Sequence, residues 1–303
     1  RQPAVLNWAC GATGFATNRR VRVNGKQMGL GVNPDGPVDR SLPALRVTDA
    51  HGRLRAILLN YACHCTTLDG SFNRICGDWA GYAQEYLERD QPGALCLVTI
   101  GCGADADPQP RRQLHFARQH GQEIATEVNR LLKGTLKPIE GELVCRLSQV
   151  SLPFDKIPGR DEWEKRAERD DFIGYHARVQ LARLDRGEPL PTELDYLVQT
   201  WVFGEDLAMV FLAGEVVVDY SLRLKKELDG NRLWVTAYAN DVPCYIPSKR
   251  ILAEGGYEAD TAMIYYDRPG RLAPEVEDLV VGAVHRLLPG TFKADSGLTD
   301  ESK

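Results

Sequence analysis

The chain has 303 residues, 43% hydrophobic and 26% charged, a globular balance able to bury a core in one large domain or two ordinary ones. Its 37 basic and 42 acidic residues leave a formal charge of −5 without a long run of either sign, which argues against nucleic-acid binding by phosphate neutralisation. There is no run of about 18 apolar residues and hence no expected integral membrane span, and eight cysteines without a CxxC pair indicate neither a zinc ribbon nor a disulfide framework.

Residues 1–50 read as strand and loop. Residues 20–23 alternate in polarity and 29–37 are dense in turn formers. Residues 44–48 and 54–62 are expected to pair as strands around a turn at 49–52, which leaves His51 in solvent. The second of these strands breaks at its end into small and polar residues around His64. A buried strand that delivers a histidine to a loop holds a site rigidly, but a hydrogen-bonded structural histidine fits this stretch equally well.

Asp78 is placed to cap a helix running to about Glu88. A buried strand at 94–100 follows and ends in a second polar loop at 101–108, with Asp105 and Asp107. Two strands ending in such loops suggest one shared sheet edge, where ligands bind in α/β proteins. A helix over 113–132 repeats apolar residues at Phe116, Ile124, Val128, Leu131 and Leu132 and is closed by Gly134; His120 shares that face and is expected to pack.

Residues 143–152 read as a strand and 161–184 as one charged helix with an apolar stripe, which leaves His176 off the stripe and solvated. Strands at 196–203 and 207–212 form a hairpin around Gly204-Glu205-Asp206. Glu215 follows at a strand-to-helix corner, where a helix N-terminus stabilises an anion. A strand over 233–239 leads to Tyr245, and a loop carries Gly255 to Asp260, including Tyr257. A last helix opens at Pro274 and stops before Pro289, with His285 on it and without a companion. Residues 291–303 read as a polar tail. Four strand ends thus carry polar candidates: His64, Asp105 with Asp107, Glu215, and Tyr245 with Tyr257.

These motifs resemble, in the same order, the catalytic domain of the neutral/alkaline (non-lysosomal) ceramidases, zinc-dependent amidases that cleave N-acyl sphingosine. Asn18-Arg19-Arg20 is similar to the family's Asn-Arg-Ser, and Tyr61-Ala62-Cys63-His64 with Thr66-Thr67-Leu68 to its Phe-Ala-x-His-Pro-x-Ser-Met. Gly77-Asp78-Trp79-Ala80-Gly81-Tyr82-Ala83 resembles Asp-x-x-Gly-Tyr-Ala; Ala213-Gly214-Glu215 resembles Pro-Gly-Glu; and Tyr257-Glu258-Ala259 resembles Tyr-Glu-Gly/Ala. Three departures stand out. The family's upstream Thr-His-Thr-His segment, with its first zinc histidine, is not in this sequence. Asp107 in Ala104-Asp105-Ala106-Asp107-Pro108 stands where the family has serine. The C-terminal immunoglobulin-like domain is missing.

The resemblance implies an α/β fold with a mixed β-sheet core and flanking helices. It places a ceramidase-like catalytic domain, N-terminally incomplete, over 1–290. It further implies a Zn2+ cofactor held by His64, Glu215 and Tyr257, with an upstream histidine as fourth ligand, so that this chain alone would bind metal weakly. Metal-activated water would attack an N-acyl amide, lipid or not, and Arg19 would stabilise the oxyanion. Asp105 would orient a ligand or shuttle a proton, Tyr245 joins them as a catalytic candidate, and Asp107 could not act as the serine does. By resemblance the protein is secreted or periplasmic; its oligomeric state is open. Loss of the serine and of the upstream histidine favours a rival reading, a non-catalytic scaffold that binds a ligand or partner. A cysteine hydrolase built on Cys63, Cys65 or Cys102 with His64 is disfavoured, because adjacent strand residues point to opposite faces.

Overall fold

Two β-sheets lie face to face in the middle of the computed structural model, which describes residues 2–23 and 27–294. The first runs Leu95–Ile100, Leu54–Tyr61, Ser41–Asp49, Ala4–Ala12, Lys137–Ile139 across its width. The second runs Leu233–Thr236, Leu207–Leu212, Glu193–Phe203, Leu143–Pro153. The period of two along each strand assigns the layers. Trp8, Leu45 and Ile139 of the first sheet meet Phe203, Leu207, Met209 and Trp234 of the second between the sheets. Ile57 and Leu59 face outward, against Trp79, Ala83 and Leu87 of helix Asp78–Asp90 and Ile124 and Val128 of helix Leu114–Lys133. On the other side Val150, Leu152, Val198 and Val210 pack on Leu224 of helix Val218–Glu227 and on Val280 and Val284 of helix Val276–Leu287. The result is a four-layer mixed α/β arrangement, as the strand and helix pattern implies.

Each large sheet is antiparallel except for one pair, and those two pairs position the site. Leu54–Tyr61 and Leu95–Ile100 are parallel, with Tyr61 opposite Ile100, so the loops carrying His64 and Asp105–Asp107 leave from one edge. Leu207–Leu212 and Leu233–Thr236 are parallel in the second sheet, so the chain leaves toward Glu215 and Tyr238 from one end. The Ala237 amide donates to the Ile100 carbonyl at 2.8 Å and the Ala104 amide to Val216 at 3.1 Å, which joins the two ends. Four strand ends therefore meet.

Two small sheets close over this junction. Ala16–Val23 lies between Gln27–Asn33 and Ala106–Pro108 and carries Arg19 and Arg20. Glu215–Val216 pairs in parallel with Tyr245–Ile246, with Glu215 directly opposite Tyr245. Gly214 precedes that bridge at φ 76°, and a Cβ there would lie 2.6 Å from the Cys244 carbonyl oxygen. Gly214→Ala is expected to cost more than about 1 kcal/mol, from left-handed strain plus that backbone contact. A thermal melt of the variant that matches the parent within 1 °C would refute this.

The structure corrects several local readings. Residues 161–184 form two helices, Arg160–Ala167 and Phe172–Asp185, because Asp171 caps the second through the Ile173 and Gly174 amides. His176 is buried, edge-on to Trp163 at 5.6 Å between the two helices, not solvated. Asp78 sits at φ 52° just after the Gly77 cap position, and its carboxylate takes the Trp79 and Leu68 amides. The stretch after Gly255-Gly256 is a π-turn, Tyr257–Thr261, continuing into helix Ala262–Tyr265. His285 pairs with Glu227 at 2.7 Å. Phe292 is fully buried and Lys293 bridges Leu228, so the packed body reaches Ala294; residues 295–303 lie outside the described residues.

Candidate active site

His64 is fixed by its backbone and one ring nitrogen. Its amide donates to the Ala106 carbonyl at 3.1 Å, and its carbonyl accepts from Trp79 Nε1 at 2.9 Å. Ring Nε2 lies 2.9 Å from the Ala104 carbonyl, which can only accept, so Nε2 carries the proton and Nδ1 presents a lone pair. Burial, reinforced by the Arg19 charge, lowers the His64 pKa and keeps the imidazole neutral. The Tyr238 hydroxyl is 3.3 Å from Nδ1 but gives its one hydrogen to Glu215 Oε2, at 2.9 Å. That hydroxyl thus lies between the imidazole and the carboxylate, and Glu215 Oε2 itself comes to 3.8 Å from Nε2.

Glu215 comes within 3.8 Å of the imidazole and accepts at its other oxygen from Tyr266. Burial raises the pKa of Tyr238, Tyr245, Tyr257 and Tyr266, so all four phenols stay protonated around this carboxylate. Tyr257 packs edge-on against Tyr245 at 5.4 Å, and Tyr245 against Tyr266 at 6.3 Å.

Arg19 joins this tyrosine cluster to a charged one. Its guanidinium donates to Glu258 at 2.9 Å, to the Tyr245 hydroxyl at 3.2 Å and to Asp107 at 3.4 Å. Burial works against its charge, but the hydrogen bond to Tyr245 and the Glu258 and Asp107 carboxylates more than offset that, so it stays protonated. Glu258 is fully buried and shared with Arg20. Asp107 also takes Thr66 Oγ1 at 3.0 Å and the Arg111 guanidinium. An open cleft of about 610 Å³ reaches this point, bordered by Arg19, Thr66, Asp107 and Arg111 with Leu30 and Val32 on its lip.

The structure thus brings His64, Glu215, Tyr257, Arg19, Tyr245 and Asp107 together. The side chain of Asp105 stands apart: its carboxylate accepts from the Val218 amide at 2.9 Å and from Asn18 at 3.0 Å. It braces the start of helix Val218–Glu227 against the strand that bears Arg19. Burial raises its pKa to about 6. A carboxyl raised above its unfolded value of about 4 favours folding while protonated, and that contribution is lost as pH rises from about 4 through about 6. Asp105→Asn cannot ionise. Relative to the variant, the parent should therefore lose roughly 3 kcal/mol between pH 4 and pH 7, at 1.36 kcal/mol per unit. Denaturant midpoints across that range measure the difference; parallel curves would rule it out.

Sequence reasoning missed Tyr238, Tyr266, Glu258 and Arg20. Tyr238 follows the buried strand Leu233–Thr236 at φ 54°, so it sits at a strand end like the other candidates and was open to the same inference. Tyr266 had no such signal. The thiols of Cys63 and Cys102 are buried and pushed up by that burial, so they are protonated near neutral pH, whereas Cys65 is exposed to solvent.

The donors available to a metal are one imidazole, one carboxylate and tyrosine hydroxyls. Among the described residues no three His, Cys, Asp or Glu side chains cluster to hold an ion. The neutral imidazole of His64 within 3.8 Å of the Glu215 carboxylate nevertheless is a donor pair of the kind that suits a divalent cation with N and O preference. None of the described helices is long and apolar enough to cross a membrane.

No family model matches the chain, and no curated protein matches it significantly. Solved structures do. A ceramidase complexed with C2 is similar over 97% of this chain and 56% of its own, with a TM-score of 0.64 and 16% identity. The neutral ceramidase from Pseudomonas aeruginosa is similar over 97% and 54%, with a TM-score of 0.63 and 17% identity. The chain spans about half the length of these relatives.

Proposed function

We propose that this chain, which has the fold of the neutral ceramidases, is an amide hydrolase acting at the junction of His64, Glu215 and Arg19. The observation that carries the proposal is the neutral imidazole of His64 within 3.8 Å of Glu215, a carboxylate held by two phenols at the junction of the strand ends. His64, Glu215 and Tyr257 would hold a zinc ion. When bound, zinc supplies Lewis-acid polarisation of a carbonyl and makes water acidic enough to act near neutral pH. The Tyr238 and Tyr266 hydroxyls fix both oxygens of Glu215, and the Ala104 carbonyl fixes the ring of His64, so these donors need little reorganisation.

Arg19 and the Tyr245 hydroxyl lie 3.2 Å apart and together offer donors to the oxygen of the scissile carbonyl as it gains charge. Hydrolysis splits the amide into a carboxylate and an amine, and the amine takes up a proton as it leaves. The substrate class is an N-acyl amide entering by the cleft at Arg19 and Asp107. Purified protein titrated with zinc should hydrolyse N-acyl amides, N-acyl sphingosine among them, and a chelator should abolish it.

A second reading has its own support. Asp107, where the resemblance expects serine, is held by Arg19, Thr66 and Arg111 as a structural acceptor. A binding scaffold without hydrolysis fits that arrangement. Absence of hydrolysis at saturating zinc, with measurable N-acyl amide binding, would select it.

A further inference from the structure

The segment 257–266 faces two ways. Tyr257 and Tyr266 belong to the candidate site, whereas Asp260, Thr261, Met263 and Ile264 line a separate cavity of about 420 Å³. That cavity contains none of the site residues described above. Its volume lies in the range of small-molecule sites, roughly 300–1,000 Å³.

Its lining is amphipathic. Ile173, Met263, Ile264, Pro158 and Pro269 supply apolar walls. Five cations border it, Lys156, Arg166, Arg169, Arg268 and Arg271, against the single carboxylate Asp260. Three of the cations have partners: Arg166 pairs with Glu162, Arg169 with Asp171 at 2.6 Å, and Arg271 with Asp260 at 3.2 Å. The other two have no carboxylate within ion-pair distance among the described residues. Arg268 donates through Nε to the Pro243 carbonyl at 2.9 Å, and its terminal nitrogens have no protein acceptor among the described residues. Lys156 makes no side-chain hydrogen bond there. Unpaired positive charge gathered around an apolar hollow is complementary to an anion with an apolar body.

We propose that this cavity is a second binding site, taking a medium-chain carboxylate with its head at Lys156 and Arg268 and its chain against Ile173, Met263 and Ile264. The inference does not depend on the amide hydrolase reading. Tyr257–Thr261 is a π-turn, a geometry found mostly as single turns and frequently at functional sites. A ligand seated on Asp260–Ile264 orders the same short segment that sets Tyr257 and Tyr266 beside Glu215.

The test is isothermal titration of the full chain with octanoate, octanol, acetate and inorganic phosphate. Octanoate should bind at one site, at least tenfold tighter than each of the others. Lys156→Glu, at an exposed position, should weaken octanoate at least tenfold, and Glu215→Gln should leave it unchanged. Hydrogen–deuterium exchange over 257–266 should slow on saturation with octanoate. The proposal fails if octanoate does not bind, or binds no better than octanol. It equally fails if phosphate matches octanoate, if Lys156→Glu has no effect, if Glu215→Gln abolishes binding, or if exchange over 257–266 is unaltered.

Discussion

Glu258→Ala is expected to destabilise the protein by about 3–5 kcal/mol, the range for removing one partner of a buried ion pair. Glu258 is fully buried and its two oxygens are divided between Arg19 and Arg20. The arginines are 7% and 2% exposed at their side chains, so neither can turn to water when the carboxylate goes. Arg20 keeps Glu254 at 3.0 Å and the Gly255 carbonyl at 2.8 Å. Arg19 keeps only the longer contact to Asp107 and the Tyr245 hydroxyl. Most of the loss should therefore come from Arg19, left with the poorer set of partners. Glu258→Gln retains an acceptor of the same shape and should lose less. Urea unfolding of both variants decides the matter: a loss under 1 kcal/mol for Glu258→Ala would mean the arginines find other partners.

On the proposed amide hydrolysis, Arg19→Lys should lower kcat by about 10²–10³-fold, the usual effect of deleting one preorganised donor to a developing oxyanion. Charge alone cannot substitute here. The guanidinium reaches Glu258, Asp107 and Tyr245 through three different nitrogens, and an ammonium on a flexible stem cannot meet all three in one plane. KM should change much less than kcat, since the contact strengthens only as the carbonyl oxygen gains charge. Steady-state kinetics alongside a melting curve separate this from misfolding. A variant that keeps parental kcat would remove Arg19 from the chemistry.

Much of the fold was legible because each buried strand is a short apolar run closed by small or polar residues. The hairpin at Gly204, the pairing of Leu54–Tyr61 with Ser41–Asp49 and the shared edge at Tyr61 and Ile100 all follow from that pattern. The sequence also marked His64 and Glu215 as strand-end groups. That they lie within 3.8 Å of each other depends on two sheets meeting through bonds such as Ala237 to Ile100, which no local pattern encodes.

Other features failed for identifiable reasons. One apolar phase drawn through 161–184 merged two helices, because Glu168-Arg169-Asp170-Asp171 looks like a continuing charged face, while Asp171 in fact starts a new helix. The same merger misplaced His176, which faces Trp163 across the break. In the sequence Gly255-Gly256 reads as the opening of a loop. Both glycines take positive φ and lead directly into the π-turn. Tyr266 lies 51 residues from Glu215 and meets it only through tertiary packing.

The bridge that places Glu215 opposite Tyr245 is two residues long, and its alignment is held by three amides: Gly214 to Asp241, Glu215 to Cys244 and Val217 to Ile246. For anyone building variants, chain length here matters more than composition. A single insertion or deletion between Ala239 and Cys244 would slide the bridge by one step and turn Tyr245 to the opposite side from Arg19. Libraries that sample loop length in this protein should therefore draw their diversity from elsewhere.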